Sequence, residues 1–202
     1  VNTPIPCGIP YIYGIMGQVD KNLIPDQGFI DQGIEILQRN VADIDRDNKE
    51  VVFADGERLS YGKLLISTGS KPFVPPLPGI DKTNVFTVRK DPNYLKEVYS
   101  ALEPARNVVV IGGGFIGVEM AEQIALMGRK AGRDKTVTIV EMMPHCLMLA
   151  CEEDFCVEIE EELKKLGVAL KTNCQAGEIV GGEKVEGVKL ADGEVIPADA
   201  VI

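Results

Sequence analysis

The sequence predicts an α/β fold, a parallel sheet with helices and an antiparallel β-meander, and three observations predict it. An apolar strand in Asn107-Val-Val-Val-Ile-Gly-Gly-Gly-Phe-Ile-Gly-Val-Glu-Met-Ala121 runs directly into Gly112-x-Gly114-x-x-Gly117, which opens a helix. A second strand, Thr136-Val-Thr-Ile-Val140, ends in an acid, Glu141. The chain also echoes itself: Ala54-Asp-Gly-Glu57 and Ala191-Asp-Gly-Glu194 each stand about twenty residues after a glycine followed by a short apolar run.

Strand, glycine turn, helix, strand and carboxylate in this order make a dinucleotide fingerprint. Gly112 permits the tight turn, and Gly114 lets backbone approach a pyrophosphate. Gly117 lets helix and strand pack closely, so the helix N-terminus can face phosphate charge. Gly113, Phe115 and Ile116 complete the turn and the helix's first residues. Glu141 is placed to accept hydrogen bonds from both ribose hydroxyls of an adenosine. It favours NAD over NADP, because a 2′-phosphate would meet a carboxylate and no Arg follows in Met142-Met-Pro-His145. The reading is a Rossmann-like NAD(P)-binding domain.

In chain order, Gly33-Ile-Glu-Ile-Leu37 reads as a strand, and Lys49-Glu-Val-Val-Phe53 as another. Asp-Gly between apolar runs is the strongest short hairpin signal, which places a turn at Ala54-Asp-Gly-Glu57. Lys63-Leu-Leu-Ile66 has the pattern of a buried strand and continues into Ser67-Thr-Gly-Ser70. The four prolines between Lys71 and Pro78 read as an extended linker, with the domain boundary between about 72 and 105.

A helix follows over 115–130, with Ile116, Met120, Ile124 and Met127 on its apolar face. The charged residues 129–135 lengthen the next loop and carry no evident function. His145 is expected in the loop after the second strand without a partner. A helix over 151–166 puts Phe155, Ile159, Leu163 and Leu166 inward and an acid-rich face outward. Its acids come first and its Lys164, Lys165 and Gly167 last, which suits the dipole and the C-cap.

Gly167-Val-Ala-Leu-Lys171 repeats the earlier glycine-strand unit. Lys184-Val-Glu-Gly-Val-Lys-Leu190, the second Asp-Gly hairpin and Ala198-Asp-Ala-Val-Ile202 then repeat the rest. The first copy has no Gly-x-Gly-x-x-Gly ahead of it, and the second stops inside its last strand. Such a pattern is expected of a piece from the middle of a longer protein.

The composition is that of an ordinary globular protein, at 45% apolar and 26% charged. A net charge of −10 without a basic stripe argues against nucleic acid as a partner. No apolar run approaches the ~20 residues of a membrane span, so a cytoplasmic protein acting on a small molecule, away from membranes, is expected. Five cysteines, an odd number, do not suit a secreted disulfide framework. Cys146, Cys151 and Cys156 recur every five residues, but that step turns a helix through ~500° and leaves neighbours ~140° apart. They read as solvated or core thiols, and no metal site is expected.

Taken together, Cys7-Gly-Ile-Pro-Tyr11, Leu64-Leu-Ile-Ser-Thr-Gly-Ser70, Pro75-Pro-Leu-Pro-Gly79 and Gly112-Gly-Gly-Phe-Ile-Gly-Val-Glu119 resemble the FAD-dependent pyridine nucleotide-disulfide oxidoreductases. The resemblance covers nearly the whole chain. Its single cysteine in Cys-Gly-Ile-Pro-Tyr is most similar to the NADH oxidase, NADH peroxidase and coenzyme A-disulfide reductase branch. The resemblance implies residues 1–75 as a partial FAD-binding domain, 76–105 as linker and 106–202 as an NAD-binding domain ending within its last strand. It implies FAD and NADH as cofactors, with Thr68, Gly69 and Ser70 bringing backbone near the flavin. Phe115 would shield the flavin, Glu119 would lie near the nicotinamide, and Cys7 would be the catalytic thiol receiving electrons. A homodimer is implied for the intact protein. Two other readings stand beside this one: an NADH reductase for ferredoxin or rubredoxin, which needs no cysteine, and a nucleotide-binding module without turnover.

Overall fold

Val108, Val109, Val110, Val137 and Ile139 are all fully buried in the computed structural model, which describes residues 3–202. Strands so apolar on both faces belong inside a parallel sheet covered twice. The chain divides into two compact units, residues 25–71 and a larger one of residues 3–24 with 72–202. The larger unit opens with β1 (Thr3–Pro4), three short 3-10 turns and β2 (Leu23–Ile24), which pairs antiparallel with β1.

The smaller unit holds the one-turn helix α1 (Gln27–Ile30) and the meander β3 (Val41–Asp45), β4 (Glu50–Phe53) and β5 (Arg58–Ser60). Its Asp-Gly turn needs Gly56 at φ +89°. Arg39 lies 4.1 Å over the Phe53 ring and pairs with Asp55 and Glu57, clamping that turn.

The larger unit resumes with α2 (Pro92–Leu102), β6 (Asn107–Ile111), α3 (Phe115–Lys130), β7 (Thr136–Val140), α4 (Glu153–Lys165) and β8 (Val168–Lys171). The meander β9 (Ala176–Val180), β10 (Gly187–Leu190) and β11 (Val195–Pro197) follows, and β12 (Ala200–Val201) ends the unit. The four parallel strands stand in the order β12-β6-β7-β8. Alternation along the strands sorts the sheet's two faces. Val108, Val110, Val137 and Ile139 pack with Met120 and Ile124 of α3 and Leu95 and Leu102 of α2. Val109, Val140 and Val201 pack instead with Ile179, Val188 and Ile196 of the meander.

The internal echo is structural. Both meanders are three antiparallel strands with the second in the middle. Both turns also share an Asx bond, in which Asp55 accepts from the Glu57 amide and Asp192 from the Glu194 amide, at 3.1 and 3.0 Å.

Four expectations need correction. Residues 33–37 and 63–66 form no strand, and Leu65 is 89% exposed. Their counterparts β8 and β12 are strands because β7 and β6 pair with them, and the smaller unit contains no equivalent of that central pair among the described residues. The 76–105 segment is more than linker, since α2 buries Leu95, Val98 and Leu102 under an Asp91 cap that accepts from the Tyr94 amide at 2.9 Å. On α4, Leu163, Ile159 and Leu166 pack inward as expected, but Phe155 is largely exposed and Cys156 and Glu160 are buried in its place. On α3, Ile116 is exposed because it sits in the first turn, at the mouth of the glycine bend.

The charged stretch 129–135 acquires a structural role. Arg129 and Arg133 donate to the carbonyls of Lys165 and Glu103, at 2.7 and 3.1 Å. Lys135 donates to those of Leu102 and Ala105. These cations cover the carbonyl ends of α2 and α4, groups that no helix satisfies by itself. No helix among the described residues is long and apolar enough to cross a membrane.

Candidate pyridine-nucleotide site

Strand β6 ends against β7, where the Gly112 amide donates to the Val140 carbonyl at 2.9 Å. The backbone then turns at Gly112, whose φ of +106° lies in a region that side chains disfavour. A Cβ on Gly117 would meet the Gly112 carbonyl oxygen at 1.9 Å, so only glycine lets α3 start this close to β6. A Cβ on Gly114 would meet nothing within 4 Å. Gly114 is also the N-cap of α3 and provides no side-chain cap. The first turn of a sixteen-residue helix therefore presents amide dipoles to open space, which suits a diphosphate.

Across the sheet end, Glu141 follows β7. Its Oε2 accepts from the Gly113 amide at 2.6 Å, and its Oε1 from the Met143 amide at 2.7 Å. Two backbone bonds hold this carboxylate beside the turn, and each oxygen keeps a second lone pair for a ribose hydroxyl. The bend and the acid thus meet, as the spacing predicts. Phe115 and Ile116 are exposed at the mouth, at 60% and 58%. Glu119, one turn further along α3, is half-buried.

The other predicted site residues lie elsewhere. Cys7 sits exposed on the 3-10 turn Pro6–Gly8 of the larger unit. The stretch after it packs Ile9, Ile12 and Tyr13 into the core that contains α3. Its end is tied to α3 directly, because the Ile15 amide donates to Gln123 Oε1 at 3.1 Å and Lys130 Nζ to the Gly14 carbonyl at 2.8 Å. Thr68, Gly69 and Ser70 are exposed in the smaller unit, outside regular structure, with Gly69 at φ +70°. Residues 3–71 contain no Gly-x-Gly-x-x-Gly.

Sequence reasoning missed the underside of the site. His145 is not unpartnered: its Nδ1 lies 3.3 Å from Glu160 Oε2 and its Nε2 3.6 Å from Glu153. Glu160 is only 6% exposed and also accepts from the Cys146 amide at 2.9 Å. The acids of α4 read as one solvated face because helical spacing gives no sign that one of them meets two donors from a distant loop. Burial, and then the carboxylates of Glu160 and Glu141, push the Cys146 thiol up to about 12, which keeps it protonated and inert at neutral pH.

Residues 11–202 match the model of the pyridine nucleotide-disulphide oxidoreductase family. An NADH oxidase of Methanocaldococcus jannaschii is 31% identical over 207 residues, covering 98% of this chain and 44% of that protein. A NAD-dependent persulfide reductase from A. fulgidus superposes with a TM-score of 0.84 at 29% identity, covering 98% of this chain and 38% of that one. The reductase of a covalent putidaredoxin reductase–putidaredoxin complex gives 0.81 at 25% identity, with 98% and 48% covered. The chain spans less than half the length of these relatives. On the match of almost its whole length and on the bend and acid described above, the chain belongs to the pyridine nucleotide-disulphide oxidoreductases.

Proposed function

We propose that this chain is the NADH-binding part, with a portion of the flavin-binding part, of a flavoprotein oxidoreductase. The flavin would take hydride from NADH and release electrons to an acceptor: a thiol-bound intermediate on Cys7, a disulfide, peroxide or oxygen. Residues 1–75 are assigned to the flavin domain, 76–105 to the connection and 106–202 to the NAD domain. The shared architecture of the two meanders supports that assignment. One observation carries the reading: a side-chain-free helix N-terminus with a carboxylate bonded to the second glycine of its turn.

Within this reading the amides of Gly114 to Gly117 hold the diphosphate, and Glu141, which accepts from the Gly113 amide, orients the adenosine ribose. Phe115, exposed at the mouth, shields the flavin until NADH displaces it, Ile116 stands exposed beside it, and Glu119 lies near the nicotinamide. Thr68 to Ser70 approach the flavin with backbone. Cys7 remains exposed, as a thiol that exchanges electrons with a second molecule must be. Five free cysteines suit a reducing cytosol, and a homodimer is the assembly proposed for the intact protein.

Titrating the chain with NADH and NADPH tests the reading. Saturable NADH binding, tighter than NADPH binding, is expected; tighter NADPH binding overturns the assignment of Glu141. The likeness to putidaredoxin reductase favours one second reading, in which electrons leave the flavin for a protein partner. Cys7→Ser in the complete protein separates the two. Loss of disulfide or peroxide reduction supports the thiol route, and unchanged reduction removes it.

A further inference from the structure

The glycine bend does not hold its own shape; it is bonded from below. The Leu147 amide donates to the Gly113 carbonyl at 2.8 Å, and the Gly113 amide donates to Glu141. Directly beneath, the Cys146 thiol fills the space over Gly113 so closely that a Cβ there would lie 2.8 Å from its sulfur. The loop carrying Cys146 and Leu147 is in turn fixed to α4, because the Cys146 amide donates to Glu160. Leu147 itself has φ +60°, a conformation that an apolar side chain adopts only when its surroundings impose it.

We propose that Glu160, which lies outside the nucleotide-binding fingerprint, is a positioning residue for the pyridine-nucleotide site. It acts through Cys146 and Leu147 to set the height of Gly113 and the aim of Glu141. This inference rests on the nucleotide-binding reading above. A carboxylate 6% exposed is costly to bury and is retained here against two donors. The Cys146 amide donates to Oε1, and His145 Nδ1 lies 3.3 Å from Oε2, a carboxylate oxygen that can only accept. His145 is therefore the clamp on Glu160, which in turn holds the loop. The chain of bonds runs from α4 through the Cys146–Leu147 backbone to Gly113 and ends on the carboxylate that faces the ribose.

The experiment uses the 202-residue chain and compares Glu160→Gln with Glu160→Leu. Gln keeps an oxygen for the Cys146 amide, and Leu removes it while filling the space. Affinities for NADH and ADP-ribose are read by titration, with thermal melts alongside. Glu160→Leu is expected to weaken both ligands about tenfold, the size of one lost hydrogen bond to a charged group, with Glu160→Gln within about threefold of wild type. Wild-type affinity in the Leu variant overturns the proposal, and so does equal weakening by Leu and Gln. Should Glu160→Leu fail to fold, Glu160→Asp takes its place, its carboxylate one methylene short of Cys146. Tenfold weaker binding supports the proposal there, and unchanged binding overturns it. A wild-type chain that takes up neither ligand shows instead that the nucleotide-binding reading itself has failed, and this inference with it.

Discussion

One side chain and one absent side chain shape the proposed nucleotide site at the scale of single residues. Gly117 faces a carbonyl oxygen that belongs to the backbone and cannot swing aside. Gly117→Ala must therefore push α3 away from β6, and overpacking of this kind costs about 1–3 kcal/mol. A lowered melting temperature and loss of NADH binding are expected together; a variant that melts and binds like wild type would show that the close approach is unnecessary. Glu141 has a double duty, accepting two amides and, in the proposed function, the ribose. Glu141→Ala removes both, so NADH binding should fall at least about tenfold, with NADPH losing less because its phosphate no longer meets a negative charge. Paired titrations read the ratio, and an unchanged preference for NADH would place the discrimination elsewhere.

Elements add what residues alone leave open. The smaller unit keeps its meander with little core of its own, burying Val51 and Phe53, so ionic bonds around its turns matter more. Hydrogen bonds from Arg39 hold the Asp55 carboxyl below the ordinary aspartate range, and Asn48 does the same for Asp45. A depressed folded value means stability complete above the unfolded pKa and lost as pH falls through the folded one. The meander is thus expected to loosen below about pH 4, before the parallel sheet does. Amide protection factors at Val51 and Val52 measure this, and Arg39→Ala should move the loosening to higher pH; protection unchanged between about pH 5 and 3 would remove the role of these pairs. The same unit shows where sequence legibility ends. Both Asp-Gly turns, the strands β6 and β7 and the helix α3 could be read from glycine placement and periodicity, because those signals are local. Residues 33–37 and 63–66 carry an equally good strand pattern, yet a parallel strand exists only beside its neighbours. Glu160 was invisible for the same reason, since its partners come from fourteen and fifteen residues away. Short-range pattern finds the bend and the acid; it cannot find what supports them.

For the whole molecule, the two units are unequally equipped for the function proposed above. The larger one has a strand–turn–helix cradle, a carboxylate at the second strand end and the Cys7 turn packed with its helix α3. The smaller one repeats the meander but holds no glycine bend, and its Thr68-Gly69-Ser70 stretch lies exposed. A diphosphate is held mainly by oriented amides, so a flavin dinucleotide offered to this chain would find contacts for one end only. NADH, on the proposed reading, would meet the amides of the α3 N-terminus and Glu141. The chain of 202 residues is therefore expected to bind NADH saturably while remaining colourless after incubation with FAD and gel filtration, and to oxidise NADH no faster than buffer. Absorbance of the eluted protein and the decay of NADH fluorescence measure the two halves of that expectation. A yellow product that consumes NADH would mean that the flavin is held by groups other than a glycine bend, and the division of labour between the units would have to be redrawn around them.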